Sequence, residues 1–257
     1  MSTPSLWSAG RYDAVAEQIA PIAGAVVDAA DRRAPLYGAA VVDLACGTGN
    51  ATLAALARGA RVTAVDLTPE LIELGRQRVT GADVTWVTAD AAATGLPAES
   101  FDAAVSNMGI IFVEPAGQVA ELERLLKPGG TLAFSAWVRD PDNPFSAPIA
   151  KVFRPPPNPG YTPDQWGDAD TVTDRLSAGF TDIRIETHTH TWRFPSLEAV
   201  MTFVTTQSPV HVAAFARADA TQRDTLRNEF ESALSAHCDQ HGVQFDSGYV
   251  VVTARRR

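Results

Sequence analysis

Apolar residues recur at Val15, Ile19, Ile22, Val26 and Val27, the spacing of one helical face, and predict a helix over residues 11–34 with Pro21 as a kink point. Gly38 then leads into residues 39–44, a short apolar run whose length and β-branching mark a buried strand. Similar runs follow at 61–66, 84–90, 101–107 and 131–137. Helical stretches separate them. One covers 50–58 and stops near Arg58-Gly59. Another opens at Thr68-Pro69-Glu70, with a hydroxyl at the N-cap, proline at N1 and an acid in the first turn. A third covers 118–126 and ends at Lys127-Pro-Gly-Gly130.

Strands alternating with helices in this way predict right-handed βαβ units and an α/β, doubly wound, Rossmann-like sheet with helices on both faces. Residues 139–168 break the rhythm with Asp140-Pro-Asp-Asn-Pro144 and Arg154-Pro-Pro-Pro-Asn-Pro-Gly160, which is turn and polyproline chemistry. Beyond them the pattern predicts a helix at 170–178 and a strand at 181–186. A helix at 194–204 follows, capped by Ser196, then a long amphipathic helix at 220–240 and a last strand at 248–253. The sheet is expected to hold seven strands. The late helices are expected to be diverted in part into a small cap over the C-terminal strand ends.

Composition narrows the function classes. The chain has 257 residues and a net charge of −9, and so acidic a surface disfavours a phosphate-backbone partner. Cys46 and Cys238 offer neither a disulfide framework nor zinc spacing, which fits a reducing, cytoplasmic setting. No metal site, signal segment or membrane span is expected.

The chemistry concentrates where strands end. Asp43-Leu-Ala-Cys-Gly-Thr-Gly49 joins a strand to a helix. Its glycines allow a tight turn and close approach of a ligand, beside the free amides of a helix start. The dinucleotide fingerprint Gly-x-Gly-x-x-Gly is not met, because Thr52 stands at the third glycine position. The loop instead resembles the glycine-rich loop of class I S-adenosylmethionine-dependent methyltransferases. Asp90-Ala-Ala-Ala-Thr-Gly-Leu-Pro-Ala-Glu-Ser-Phe-Asp102 and Leu125-Leu-Lys-Pro-Gly-Gly130 strengthen the likeness, which is nearest to the methyltransferase type 11 group with its ubiquinone and menaquinone biosynthesis enzymes.

The resemblance implies S-adenosyl-L-methionine as cofactor, with S-adenosyl-L-homocysteine as product. Ala45, Gly47, Gly49 and Asn50 would lie along the methionyl part, with Asp43 orienting its amino group. Asp66 would accept the ribose hydroxyls and Leu67 would pack on the adenine. Asp90 would accept from the adenine amine, with Ala91 donating to a ring nitrogen. Asn107 and Met108 would pass beside the sulfonium, and Trp7 and Tyr12 would close over the cofactor. Residues 1–38 then form a helical lid and 39–138 the cofactor-binding core. Residues 139–218 form a loop and cap region holding the acceptor, and 219–257 complete the core.

The implied reaction is methyl transfer to a small-molecule O, C or N acceptor by a monomer or homodimer. A non-catalytic binding protein of the same fold and an RNA methyltransferase are the alternatives. Asn107-Met-Gly-Ile110 replaces the Asn/Asp-Pro-Pro-Tyr tetrapeptide of nucleobase amino-methylating enzymes. His211, after Ser208-Pro209, is the candidate general base. Phe112, Trp137, Phe145, Trp166 and Phe203 are the candidate lining of an apolar acceptor pocket. His188 and His190 alternate on a strand and read as an exposed face.

Overall fold

The computed structural model describes residue 7, residues 9–153 and residues 160–257. Residues 1–6 and 8, at the start of the expected lid, and the proline run at 154–159 therefore lie outside the described residues. In chain order the elements are α1 (Tyr12–Arg33), β1 (Ala40–Leu44), α2 (Asn50–Ala57), β2 (Arg61–Asp66), α3 (Pro69–Arg78) and β3 (Val84–Thr88). Then come β4 (Phe101–Asn107), α4 (Pro115–Leu125), β5 (Leu126–Trp137), α5 (Ala147–Val152), α6 (Ala169–Leu176) and β6 (Phe180–Phe194). The chain closes with α7 (Leu197–Thr202), α8 (Pro209–Arg217), α9 (Ala220–Ser235), β7 (Cys238–Asp239) and β8 (Gly242–Arg256).

The sheet runs β3-β2-β1-β4-β5-β8-β6, with the short β7 paired to β8. The pairs from β3 through β5 are parallel, and β8 joins β5 antiparallel, from Thr131 opposite Arg255 to Trp137 opposite Tyr249. Among the described residues this is the expected doubly wound α/β sheet, with one short strand more than seven. β1 is central, and its Val41, Val42 and Leu44 are fully enclosed, as a strand covered on both faces requires. The chain winds outward from β1 to β3, then returns to the other side of β1 for β4. That reversal falls between β1 and β4, and the carboxyl ends of strands at such a point are where sheets of this kind bind ligands.

The fold divides into two compact units. The first takes the described residues of Met1–Gln18, Asp140–Gly160 and Thr189–Ser247. The second takes Ile19–Arg139, Tyr161–His188 and Gly248–Arg257. The core of the first is aromatic. Phe145 stacks on Phe203 at 5.7 Å and meets Phe245 edge-on at 4.8 Å and Trp192 edge-on at 5.0 Å. The second unit's core is aliphatic along β1, β4 and β5, with Trp166 edge-on to Phe134 at 5.3 Å.

Several elements differ from the sequence reading: β5 and β8 start early, at Leu126 and Gly242, and α5 has no expected counterpart. β6 runs on to Phe194, so α7 starts only at Leu197, although Ser196 does cap it by accepting from the Ala199 amide at 3.1 Å. α9 ends at Ser235, because its buried series Leu226, Phe230 and Leu234 stops there and the chain turns into the β7–β8 hairpin. α8 has no counterpart among the expected elements.

Candidate functional site

The loop after β1 carries the strongest local constraints. Ala45, Gly47 and Gly49 take φ of +50°, +56° and +86°. Only glycine adopts that region cheaply, so Ala45 is a strained position. Gly49 is the N-cap of α2 and supplies no side-chain cap. Asn50, at the first helical position, accepts from Arg78 Nη1 at 2.6 Å, and the same guanidinium reaches Thr48.

Two carboxylates flank this loop. Asp43 is fully buried and accepts from Thr52 Oγ1 at 2.6 Å through Oδ2. Its other oxygen, Oδ1, has no hydrogen-bond partner among the described residues. Burial pushes the Asp43 carboxyl up to about 7, with the Thr52 bonds opposing and Asp66 adding to the rise. Asp66, at the end of β2, accepts from the Gly47 amide through Oδ2 and from the Thr68 amide through Oδ1, both at 2.8 Å. Burial raises its carboxyl too, against the pull of those amides. Leu67 beside it is 61% exposed, an unusual amount of apolar surface left to water at a strand end.

Asp90 follows β3, is exposed, and accepts from the Ala92 amide at 2.9 Å. Ala91 is buried, and its carbonyl accepts from Gln118 Nε2 at 3.2 Å. At the end of β4, Asn107 Oδ1 accepts from Ser135 Oγ at 3.0 Å, and Asn107 Nδ2 donates to the Ile19 carbonyl at 3.4 Å. Met108 has φ of +56° and donates its amide to the same Ser135 hydroxyl at 3.0 Å. Ser106 Oγ donates to the Leu44 carbonyl at 2.7 Å and accepts from the Ile110 amide at 3.1 Å. A Cβ on Gly109 would strike the Ala45 carbonyl oxygen. The loops after β1 and β4 are thus interlocked, and two strained non-glycine residues, Ala45 and Met108, are held in place by buried hydroxyls.

The structure brings Asp43, Ala45, Gly47, Gly49, Asn50, Asp66, Leu67, Asp90, Ala91, Asn107 and Met108 to neighbouring ends of parallel strands within the second unit. Trp7 and Tyr12, in the first unit, meet edge-on at 6.0 Å.

The acceptor-side residues fare differently. His211 is enclosed, with Nδ1 2.6 Å from Ser208 Oγ and Nε2 3.0 Å from the Phe145 carbonyl oxygen. A carbonyl only accepts, so Nε2 carries the proton and Nδ1 accepts from Ser208. Burial holds the imidazole down to about 4. No ring nitrogen is left to take a proton from an acceptor, so this geometry does not support the base role expected of His211. Trp166 is fully enclosed, with the Arg175 guanidinium 4.7 Å above its ring, and so corrects the expectation that it lines a pocket. Phe145 belongs to the aromatic core of its unit. Phe203 lines a cleft of about 460 Å³ with Phe194, Glu17, Glu198 and Gln207. Phe112 and Trp137 are half-buried, and the Phe112 carbonyl accepts from Tyr161 at 2.8 Å. His190 is buried edge-on against Trp192 at 4.8 Å, so only His188 keeps partial exposure.

Sequence reasoning missed Thr52, Thr68, Ser106, Gln118 and Ser135. A serine inside an otherwise apolar strand is the signal that could have found Ser106 and Ser135. Among the described residues no cluster of three metal-ligating side chains occurs, and no helix is long and apolar enough to cross a membrane.

Comparisons with known proteins agree on the family. A family described as "Methyltransferase domain" matches residues 42–134, the segment carrying all four strand ends. An uncharacterized protein of Mycobacterium tuberculosis is 34% identical over 187 residues, which is 70% of this chain and 66% of that relative. The match thus spans just under two thirds of that relative's length. Aklanonic acid methyltransferase DauC of Streptomyces sp. is 30% identical over 168 residues, 62% of this chain and 75% of DauC. Among solved structures, Haemonchus contortus phosphoethanolamine N-methyltransferase 2, in complex with S-adenosylhomocysteine, superposes with a TM-score of 0.57 at 19% identity. That likeness covers 92% of this chain and 52% of the nematode enzyme, and concerns the fold.

Proposed function

We propose that this chain, which belongs to the S-adenosylmethionine-dependent methyltransferases of the type 11 group, transfers a methyl group from S-adenosyl-L-methionine to a small-molecule acceptor. The observation that carries the reading is the unpartnered, fully buried Oδ1 of Asp43 beneath a left-handed glycine loop. A buried carboxylate oxygen without a donor is costly, and a ligand ammonium offsets that cost. The residues present fit the cofactor. Asp43 would take its ammonium, and Gly47, Gly49 and Asn50 its methionyl chain. Asp66 would take the ribose hydroxyls beside the bonds it accepts from Gly47 and Thr68. Exposed Leu67 would cover one face of the adenine, with Asp90 and the Ala91 amide reading its edge.

When bound, the cofactor would supply a methyl group activated by its sulfonium. The protein's task is to hold the two reactants in line and keep water out. Asn107 and Met108, fixed from Ser135, would form the wall beside the sulfonium. With His211 bonded through both nitrogens, acceptor activation falls to desolvation or to the acceptor's own acidity. The net charge of −9 and the aromatic first unit favour a small organic acceptor over RNA.

Titration calorimetry with S-adenosylhomocysteine tests the binding half. Wild type should bind, and Asp66→Ala should bind about 1–3 kcal/mol more weakly, having lost a charged acceptor. Equal affinity in the variant would remove the ribose assignment. Release of S-adenosylhomocysteine from the methyl donor in the presence of a small-molecule panel tests the catalytic half. Binding without turnover of any acceptor would favour a non-catalytic role.

A further inference from the structure

We propose that the glycine loop exchanges a proton for its cofactor: Asp43 is protonated while the loop is empty and gives that proton to solvent as the cofactor's ammonium arrives. This inference rests on the functional reading above.

The geometry forces a choice of protonation. Asp43 and Asp66 are both buried, and the Asp66 charge adds to the rise of the Asp43 carboxyl, so keeping both charged without a cation is costly. Among the described residues, the groups acting on Asp43 supply none. β2 contributes Asp66, and the loop contributes Cys46, whose thiol burial pushes up and keeps neutral. α2 contributes the hydroxyl of Thr52, and β4 pairs Val105 with Asp43. Arg78 of α3 is directed at Thr48 and Asn50 instead.

Between the two acids, hydrogen bonding decides which one keeps its charge. Asp66 accepts two backbone amides, both at 2.8 Å. Asp43 draws on Thr52 alone, its hydroxyl at 2.6 Å and its amide, and leaves Oδ1 with no partner among the described residues, whereas Asp66 adds the Thr68 hydroxyl to its two amides. The proton therefore rests on Asp43, whose carboxyl burial lifts to about 7. On binding, the Asp43 O–H bond breaks, the proton passes to buffer, and an N–H of the ligand ammonium donates to the carboxylate. No electrons move, and the same exchange serves donor and product, since both carry the ammonium.

Calorimetry with S-adenosylhomocysteine, repeated in buffers of different ionisation enthalpy, counts the protons released. With a group titrating near 7, about half a proton should leave per ligand at pH 7, about 0.9 at pH 6 and almost none at pH 8.5. The dissociation constant should rise about tenfold from pH 8 to pH 6. Asp43→Asn should abolish both the buffer dependence and the pH dependence. Asp66→Asn should weaken binding yet still release the proton. Wild-type binding with no proton released at pH 6 overturns the proposal while leaving the cofactor assignment intact. Proton release that survives in Asp43→Asn and vanishes in Asp66→Asn also overturns it. Absence of binding by wild type at every pH would instead bring down the functional reading itself.

Discussion

Ser208 and the Phe145 carbonyl decide what His211 can do. One ring nitrogen must donate and the other must accept, so the neutral tautomer is fixed, and burial holds the imidazole down to about 4 from an ordinary 6.5. A depressed base contributes stability that is present above the unfolded value and is lost as pH falls. The unfolded chain takes up a proton near 6.5 and the folded one only near 4, so up to about 3 kcal/mol should disappear across that window. Urea unfolding between pH 7.5 and 4.5 would read this loss, and His211→Gln should flatten the acid limb. An unchanged slope in the variant would assign the loss to another group. At this scale the sequence was legible where a side chain has one plausible job. Asp43, Asp66, Asp90 and Asn107 stand at strand ends, where a polar side chain has no packing role. It was illegible where the job depends on a partner far along the chain. Nothing local marks Phe145 as the residue whose carbonyl occupies His211, or Ser135 as the hydroxyl that holds Asn107 and Met108.

A glycine in the middle of α3 shows how one element is tuned to another. Gly75 lies under Trp86 of β3, and a Cβ there would come within 2.6 Å of the indole ring. The same ring reaches a Cβ position on Gly49 at 3.0 Å, so Trp86 wedges α3 against the glycine loop. Gly75→Ala would gain about 1 kcal/mol of helix propensity, yet overpacking costs about 1–3 kcal/mol. The clash is with a broad ring rather than a flexible tip, so the substitution should lower the thermal midpoint. In a Trp86→Leu background it should be neutral or stabilising, and a double-mutant cycle would measure the difference. A rise in midpoint in the wild-type background would show that the ring yields. The five strands of the first half were readable because each is a compact apolar run between clear helix stops. β6 was cut short because its Thr-His-Thr-His-Thr stretch has little apolar character on either face, so only the pairing with β8 reveals its length. α8 was hidden because Pro209 opens it directly from the π turn at Phe203–Gln207, and no break in the apolar pattern separates the two.

The whole molecule couples these parts through binding. A ligand that binds only the folded state stabilises it by mass action, and at a hundredfold excess over the dissociation constant the gain is about 2.7 kcal/mol. For a chain of this size that corresponds to a rise of about 5–10 °C in the thermal midpoint. All of the strand-end loops assigned to the cofactor belong to the second unit, whereas the aromatic core with His211 belongs to the first. The two compact units therefore make different claims on a melting curve. If they unfold as one cooperative system, S-adenosylhomocysteine should shift a single transition seen alike by calorimetry and by the fluorescence of Trp192 and Trp166, one tryptophan in each core. If the units unfold separately, the ligand should move only the transition reported by Trp166, leaving that of Trp192 in place. Single-tryptophan variants would separate the two signals. β6 and β8 each run through both units, from Phe180 to Phe194 and from Gly242 to Arg256. A strand cannot fray at its middle without losing ladder bonds on either side, so the expected result is one shared transition, raised as a whole by the ligand.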